Sequence, residues 1–364
     1  MPGSTYRDET DKVLNLGVTS RAMRRFALKY IIFRTISTAF GLFIIIANFV
    51  LWNIGPEDIA HVMPDTLYLA LLFGFQTFLF SLLGFLIADG ISRFWWSRWR
   101  ATSTSAVLET PVTVPGIHAI PGKLYRLASA MPEDAPGKLV ILSYGFNDNQ
   151  FRAQHMAKAL AVLGYHVCTW DYRGRDESKG KITDLPSHVQ DLRVLIDYWA
   201  SNSMVFPGEV YLCGWSLGGM VSIIAGLADD RVKKIFVWST WSDLRRRVLW
   251  RVYVNPFAVL RYLFKGELLY VSSKVNEEVS PVHYAWRMER EDGGREKLET
   301  LVKTKLFMCH ANNDSIIGVD NFKENARAMH LPEANQHVFT NGSHMMIRKE
   351  TAIIGLLSRF FNKT

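Results

Sequence analysis

Hydrophobic residues fall in two different rhythms along this chain. From Leu139 onward, short apolar runs at 139–143, 165–170, 209–213, 234–238, 305–309 and 336–339 alternate with stretches of mixed polarity near 149–162, 186–201, 217–228, 319–329 and 346–361. Short continuous apolar runs between amphipathic stretches predict strands and helices in alternation, forming a mostly parallel sheet covered on both faces. A weaker strand is expected between Leu124 and Ala130, and Arg100 to Gly122 reads as a polar connector leading into short antiparallel strands. Neither an internal repeat nor a low-complexity tract breaks this pattern.

The second rhythm lies at the front. Residues 35–52 and 66–88 carry no charged side chain. Apolar spans of this length match a hydrocarbon core of roughly 30 Å when helical. They predict a transmembrane hairpin, which gives an N-terminal membrane anchor over 1–100 and a catalytic domain over 101–364. A secretory signal does not fit, because the first span starts far from Met1 and ends in Asn48 to Trp52 without a small-residue cleavage site. Arg21, Arg24, Arg25, Lys29 and Arg34 precede the first span, and Arg93, Arg98 and Arg100 follow the second. The loop between them holds Glu57, Asp58 and Asp65 with no Lys or Arg. Basic outer flanks predict an integral membrane protein with both termini and the catalytic domain in the cytoplasm. Trp52, Tyr68, Trp95, Trp96 and Trp99 fall where interfacial aromatics anchor such helices.

Candidate chemistry sits at the ends of the predicted strands. Gly214-Trp215-Ser216-Leu217-Gly218 follows the run Val210 to Cys213 and leads straight into a helical stretch. A strand that enters a helix through G-x-S-x-G pushes its serine hydroxyl out above the sheet. Asp314 lies in a polar loop after 305–309, and His344 follows the strand candidate 336–339. Nucleophilic serine needs an imidazole to take its proton and a carboxylate to hold that imidazole in the useful tautomer. Ser216, Asp314 and His344 therefore form a candidate triad in the order serine, acid, histidine. Asp320 is the rival acid, displaced into the next predicted helix. Backbone N–H groups of Leu217 and of Phe146, in the loop after 139–143, are the candidate oxyanion donors.

These motifs resemble the α/β-hydrolase superfamily, and within it the lysophospholipase and serine-aminopeptidase-like subgroup, over about residues 120 to 362. The elbow, the acid loop His310 to Asp314, the terminal His344, and Asp171-Tyr172-Arg173-Gly174 with Ser178 and Gly180 carry the resemblance. It implies an α/β-hydrolase fold with a mostly parallel central sheet and a helical cap. Two positions depart from the pattern. Tyr144-Gly145 stands where His-Gly is common, and Asp176 replaces the second glycine of the loop after the fourth strand.

An insertion at 241–304 is far longer than an ordinary crossover. Its aromatics and aliphatics recur on a helical spacing interrupted by Pro256. It predicts a cap over the site, with Trp250, Tyr253, Phe257 and Phe264 joining Tyr144 and Trp215 as candidate substrate contacts. A helix on the bilayer bordered by Arg245, Arg246, Arg247, Arg251 and Arg261 fits the same pattern, as do two plain packing helices. Glu289 to Lys297, with Gly293-Gly294, reads as a solvated loop.

Composition narrows the classes. The net charge of +8 meets no nucleic-acid motif, and much of it lies beside the apolar spans, where it can meet anionic headgroups. Three cysteines, Cys168, Cys213 and Cys309, all sit in predicted core strands, which fits packing thiols rather than a disulfide framework. His310 with Asp314 lacks further ligands at metal-binding spacing, so neither metal nor cofactor is expected. The expected activity is cleavage of an ester or thioester of an apolar acyl group, with a lipid or acylated substrate and the membrane as partners. An aminopeptidase or amidase, with Asp176 and Glu177 anchoring a substrate amine, and a silent membrane scaffold are the alternatives.

Overall fold

The computed structural model describes residues 74–76, 79, 83, 106–116, 119–128, 137–146, 150–174, 178, 184–245 and 271–363. The chain divides into two compact units, Met1–Ser103 and Thr104–Thr364. In the first, Gly74 to Gln76, Leu79 and Leu83 are helical. The span predicted at 35–52 and the rest of that at 66–88 lie outside the described residues. Among the described residues no helix is long and apolar enough to cross a membrane.

The second unit is built on an eight-stranded sheet. Its strands are β1 (Val107–Val114), β2 (Ile120–Leu127), β3 (Gly137–Ser143), β4 (His166–Trp170), β5 (Val205–Trp215), β6 (Val232–Trp238), β7 (Leu306–Ala311) and β8 (Gln336–Phe339). The spatial order is β1-β2-β4-β3-β5-β6-β7-β8. β2 pairs antiparallel with β1 and β4, and every pair from β4 to β8 is parallel. Strand order reverses at β3, whose neighbours β4 and β5 both follow it in the chain. Such a switch point opens a crevice beyond the carboxyl ends of its strands.

The parallel strands are apolar throughout because both of their faces are covered. Leu139 to Leu142 of β3 are wholly buried, as are all five residues of β4 and all six of β7. Helices α1 (Gln150–Val162), α2 (Leu185–Ala200), α3 (Leu217–Gly226), α4 (Ser273–Val279), α5 (Pro281–Glu289), α6 (Gly294–Lys305), α7 (Val319–Ala328) and α8 (Glu350–Phe361) accompany the sheet among the described residues. Pro186 and Pro281 stand in the first turns of α2 and α5, where a missing N–H costs no intrahelical bond.

Three expectations change. β1 falls inside the segment read as a connector. Only its end residues Val107 and Val114 are buried, and Pro111 is tolerated because this is an edge strand. Glu289 to Lys297 is not a loop: α5 runs to Glu289, the chain turns, and α6 begins at Gly294. A Cβ on Gly294 would stand 1.8 Å from the Met288 carbonyl oxygen, so glycine permits this tight corner between helices. The insertion is also shorter than 241–304, because α6 packs on β6 and β7 as their crossover helix. Its α4 and α5 rest on α2, α3 and α7. Residues 246–270, with Trp250, Tyr253, Phe257 and Phe264, lie outside the described residues.

The three cysteines are buried and form no disulfide. Burial raises each thiol well above its ordinary pKa, so none is poised as a nucleophile.

Candidate active site

Ser216 occupies the single residue between β5 and α3, with φ 55° and ψ −116°. A non-glycine residue rarely adopts this backbone, and it persists only where its surroundings hold it. They do so closely here. The Ser216 N–H donates to the Trp238 carbonyl at 3.1 Å, and the Thr240 hydroxyl donates to the Ser216 carbonyl at 2.9 Å. A Cβ on Gly214 would lie 2.4 Å from the Gly218 carbonyl oxygen, and one on Gly218 would lie 1.9 Å from that of Ser143. The glycines of the elbow are thus required by backbone contacts across the switch point, where Ser143 pairs in register with Gly214.

Leu217 is the first residue of α3, so its N–H has no acceptor within the helix and faces outward from the positive end of the helix dipole. Phe146 lies in the loop after β3, whose end is paired with that of β5. Both proposed oxyanion donors therefore belong to segments brought side by side by the sheet.

The acid and the histidine meet directly. Asp314 lies three residues beyond β7 and His344 five beyond β8, and these strands are neighbours. His344 Nδ1 stands 2.9 Å from Asp314 Oδ2. The other oxygen, Oδ1, accepts the N–H groups of Ile316 at 2.9 Å and Ile317 at 2.8 Å. The loops are joined a second time, because the Ser343 N–H donates to Asn313 Oδ1 at 2.8 Å. Two consecutive residues of one loop thus grip two consecutive residues of the other. Ser343, Met346 and Arg348 all have positive φ, so the histidine turn is held in an unfavourable path.

Burial pushes the Asp314 carboxyl up, but hydrogen bonds from His310, His344 and the Ile317 N–H outweigh this and hold it well below the usual carboxylate range. An ionised carboxylate only accepts, so His344 Nδ1 carries the proton. In neutral His344 the lone pair is then on Nε2, the atom able to take a proton from a hydroxyl. Asp320 does not compete: its exposed side chain sits on the first turn of α7, with Lys323 at 3.9 Å.

Tyr144 and Trp215, expected as substrate contacts, are instead buried supports. The Tyr144 hydroxyl donates to Asp171 Oδ1 at 3.1 Å and accepts the Tyr172 N–H, while the Tyr172 hydroxyl donates to the Tyr144 carbonyl at 3.0 Å. This exchange ties the loop after β3 to the loop after β4, and it explains how tyrosine serves where histidine was expected. Trp215 stacks on Trp238 with ring centres 5.2 Å apart and is 3% exposed. Arg173 of the second loop makes a two-pronged bond to Asp191 of α2, at 2.7 and 2.6 Å. Asp176 and Glu177 lie outside the described residues. Sequence reasoning passed over Thr240 and Asn313, and it weighed His310 only as a metal ligand. Of these, Asn313 and His310 carried a signal: both lie in the same short polar run as Asp314.

Known proteins resemble parts of this chain. Residues 134–291 match the family described as serine aminopeptidase, S33. A monoacylglycerol lipase of Mycolicibacterium smegmatis is 31% identical over 26% of this chain and 34% of its own length. The lysophosphatidylserine lipase ABHD12 of Gallus gallus is 29% identical over 43% of each chain. This chain thus spans less than half the length of either relative. A puromycin-hydrolyzing peptidase of Mycobacterium tuberculosis superposes with a TM-score of 0.54 at 16% identity, covering 72% of this chain and 41% of that one. The fold is that of the α/β-hydrolases. The family match and the lipase relatives make the chain similar to hydrolases in sequence as well.

Proposed function

We propose that this chain is a membrane-anchored serine hydrolase that cleaves an ester or thioester of an apolar, lipid-derived acyl group. The observation that carries this reading is the buried hydrogen bond between Asp314 and His344, beyond the same strand ends as the strained Ser216 elbow. Ser216 Oγ attacks the acyl carbonyl while His344 Nε2 takes its proton, and the N–H groups of Leu217 and Phe146 receive the oxyanion. His344 then returns the proton to the departing alcohol or thiol. Water, deprotonated by the same imidazole, releases the acid and restores Ser216. Asp314 orients His344 and stabilises its charged form.

Two lipase relatives support a lipid substrate, and the uncharged spans at 35–52 and 66–88 support an anchor that keeps the enzyme beside it. In this proposal both ends are cytoplasmic, and the insertion after β6 carries the apolar cap. The family match supports a second reading, an aminopeptidase of the same fold.

One experiment separates the readings. The full-length protein in detergent is labelled with a fluorophosphonate and assayed on monoacylglycerols, lysophospholipids, acyl thioesters and aminoacyl amides. Ser216→Ala is expected to abolish labelling and to lower kcat at least about 10,000-fold. Labelling that survives the substitution sinks the nucleophile assignment. Turnover of the amides alone favours the aminopeptidase.

A further inference from the structure

We propose that His310 is a positioning residue for the catalytic pair, acting through Asp314; the inference rests on the Ser216–His344–Asp314 reading. His310 belongs to β7 and is 1% exposed. Its Nε2 stands 2.8 Å from the Ile317 carbonyl oxygen and 3.3 Å from Asp314 Oδ2. A carbonyl oxygen can only accept, so Nε2 carries the proton and is shared between that carbonyl and the carboxylate. Asp314 is thereby surrounded by donors: two backbone N–H groups on Oδ1, and two imidazoles on Oδ2.

The arrangement has two consequences. The first is geometric. His310 joins Asp314 to Ile317, whose own N–H binds Oδ1, so the carboxylate is gripped at both oxygens by one short turn and cannot rotate away from His344. Phe322 of α7 lies against the His310 ring, with centres 6.0 Å apart, and fixes it from the other side. The second is electrostatic. An N–H on Oδ2 draws negative charge from the atom that faces His344. Without it, the full charge of Oδ2 falls on His344 and favours the protonated imidazole, which is no base.

The test compares two substitutions in the full-length protein. His310→Phe keeps a flat ring but removes the donor; His310→Gln keeps an N–H donor of similar reach. For His310→Phe, kcat on the best substrate is expected to fall about tenfold with KM nearly unchanged, a loss in line with one charge-assisted hydrogen bond. The acid limb of its kcat/KM profile is expected to move to higher pH. His310→Gln is expected to recover most of the rate and the original profile. Equal losses in both, or an unshifted profile in His310→Phe, overturn the proposal, since packing alone would give them. If His310→Phe does not fold, 15N-histidine spectra of the unsubstituted enzyme decide. His310 must then show the Nε2–H tautomer, with a resonance that moves on Asp314→Asn; an Nδ1–H tautomer overturns it. Failure of the catalytic reading itself appears separately, as activity that survives Ser216→Ala.

Discussion

At the residue scale, the candidate site works by denying its members any alternative. Ser216 is strained, and the elbow glycines leave no room for a side chain that would relax it. Asp314 has its oxygens committed to fixed donors, so its charge is paid for inside the fold. This predicts a pH dependence with a definite sign. Its folded carboxyl lies below the unfolded value of about 3.9, so it contributes stability that is complete above that pH and lost as pH falls further. The stability difference between the unsubstituted chain and Asp314→Asn should be present at about pH 5 and shrink below about pH 4. Urea midpoints across that range measure it, and a gap that grows on acidification refutes it. Residue-level legibility was uneven for a physical reason. Ser216, Asp314 and His344 stand in strand-end loops whose order alone is informative. Tyr144, Trp215 and His310 owe their roles to partners 27, 23 and 4 positions away, and local sequence cannot say which side chain a buried hydroxyl or ring will meet.

At the scale of elements, the sheet was legible because parallel strands buried on both faces must be apolar without interruption. β3 to β8 fall close to where those runs lie. β1 escaped because an edge strand needs few buried side chains, and α6 escaped because its exposed charges and the Gly293-Gly294 pair at its start resemble a loop. The chain leaving β6 was read as a cap, yet its first residues are anchored by polar groups. Asn276 accepts the Arg245 N–H at 2.8 Å and the Ser280 hydroxyl at 2.7 Å, and Ser280 Oγ accepts the Leu244 N–H at 3.0 Å. Ser242 reaches α7 through Asn321 and Glu324. Asn276 is buried, so Asn276→Ala should lower stability by about 1–3 kcal/mol by stranding these donors, read as a lowered Tm. Farther along the same insertion, Phe257 and Phe264 carry the proposal that the cap reads the acyl chain. Each buried methylene favours binding by about 0.8 kcal/mol, so kcat/KM should climb with chain length until the pocket fills. Replacing both by Ala should flatten that climb more than it slows an acetyl ester, with all substrates below micelle formation. Identical flat profiles in both proteins would remove the cap from substrate selection.

At the scale of the whole molecule, the proposed anchor rests on a contrast in how apolar residues are distributed along the chain. Among the described residues of Thr104–Thr364 the apolar runs are consumed by one sheet and its helices, which is why they are short and punctuated by polar loops. The spans at 35–52 and 66–88 are unpunctuated, and a helix needs about 20 such residues to satisfy its backbone across a bilayer. Charge then argues the direction. Basic residues cluster before the first span and after the second, whereas the loop between them holds only acidic ones, the pattern of a hairpin whose outer ends stay in the cytoplasm. That proposed orientation suits three buried cysteines that form no disulfide. Glycosylation acceptor sites placed near Ile54 and after Thr364 test it in a eukaryotic membrane. The first should be modified and the second should not, since only the loop would reach the lumen. Modification at the C-terminus alone would reverse the hairpin and put the hydrolase on the opposite side; modification at neither, with the protein recovered in the soluble fraction, would remove the anchor altogether and leave the lipid reading to rest on the relatives alone.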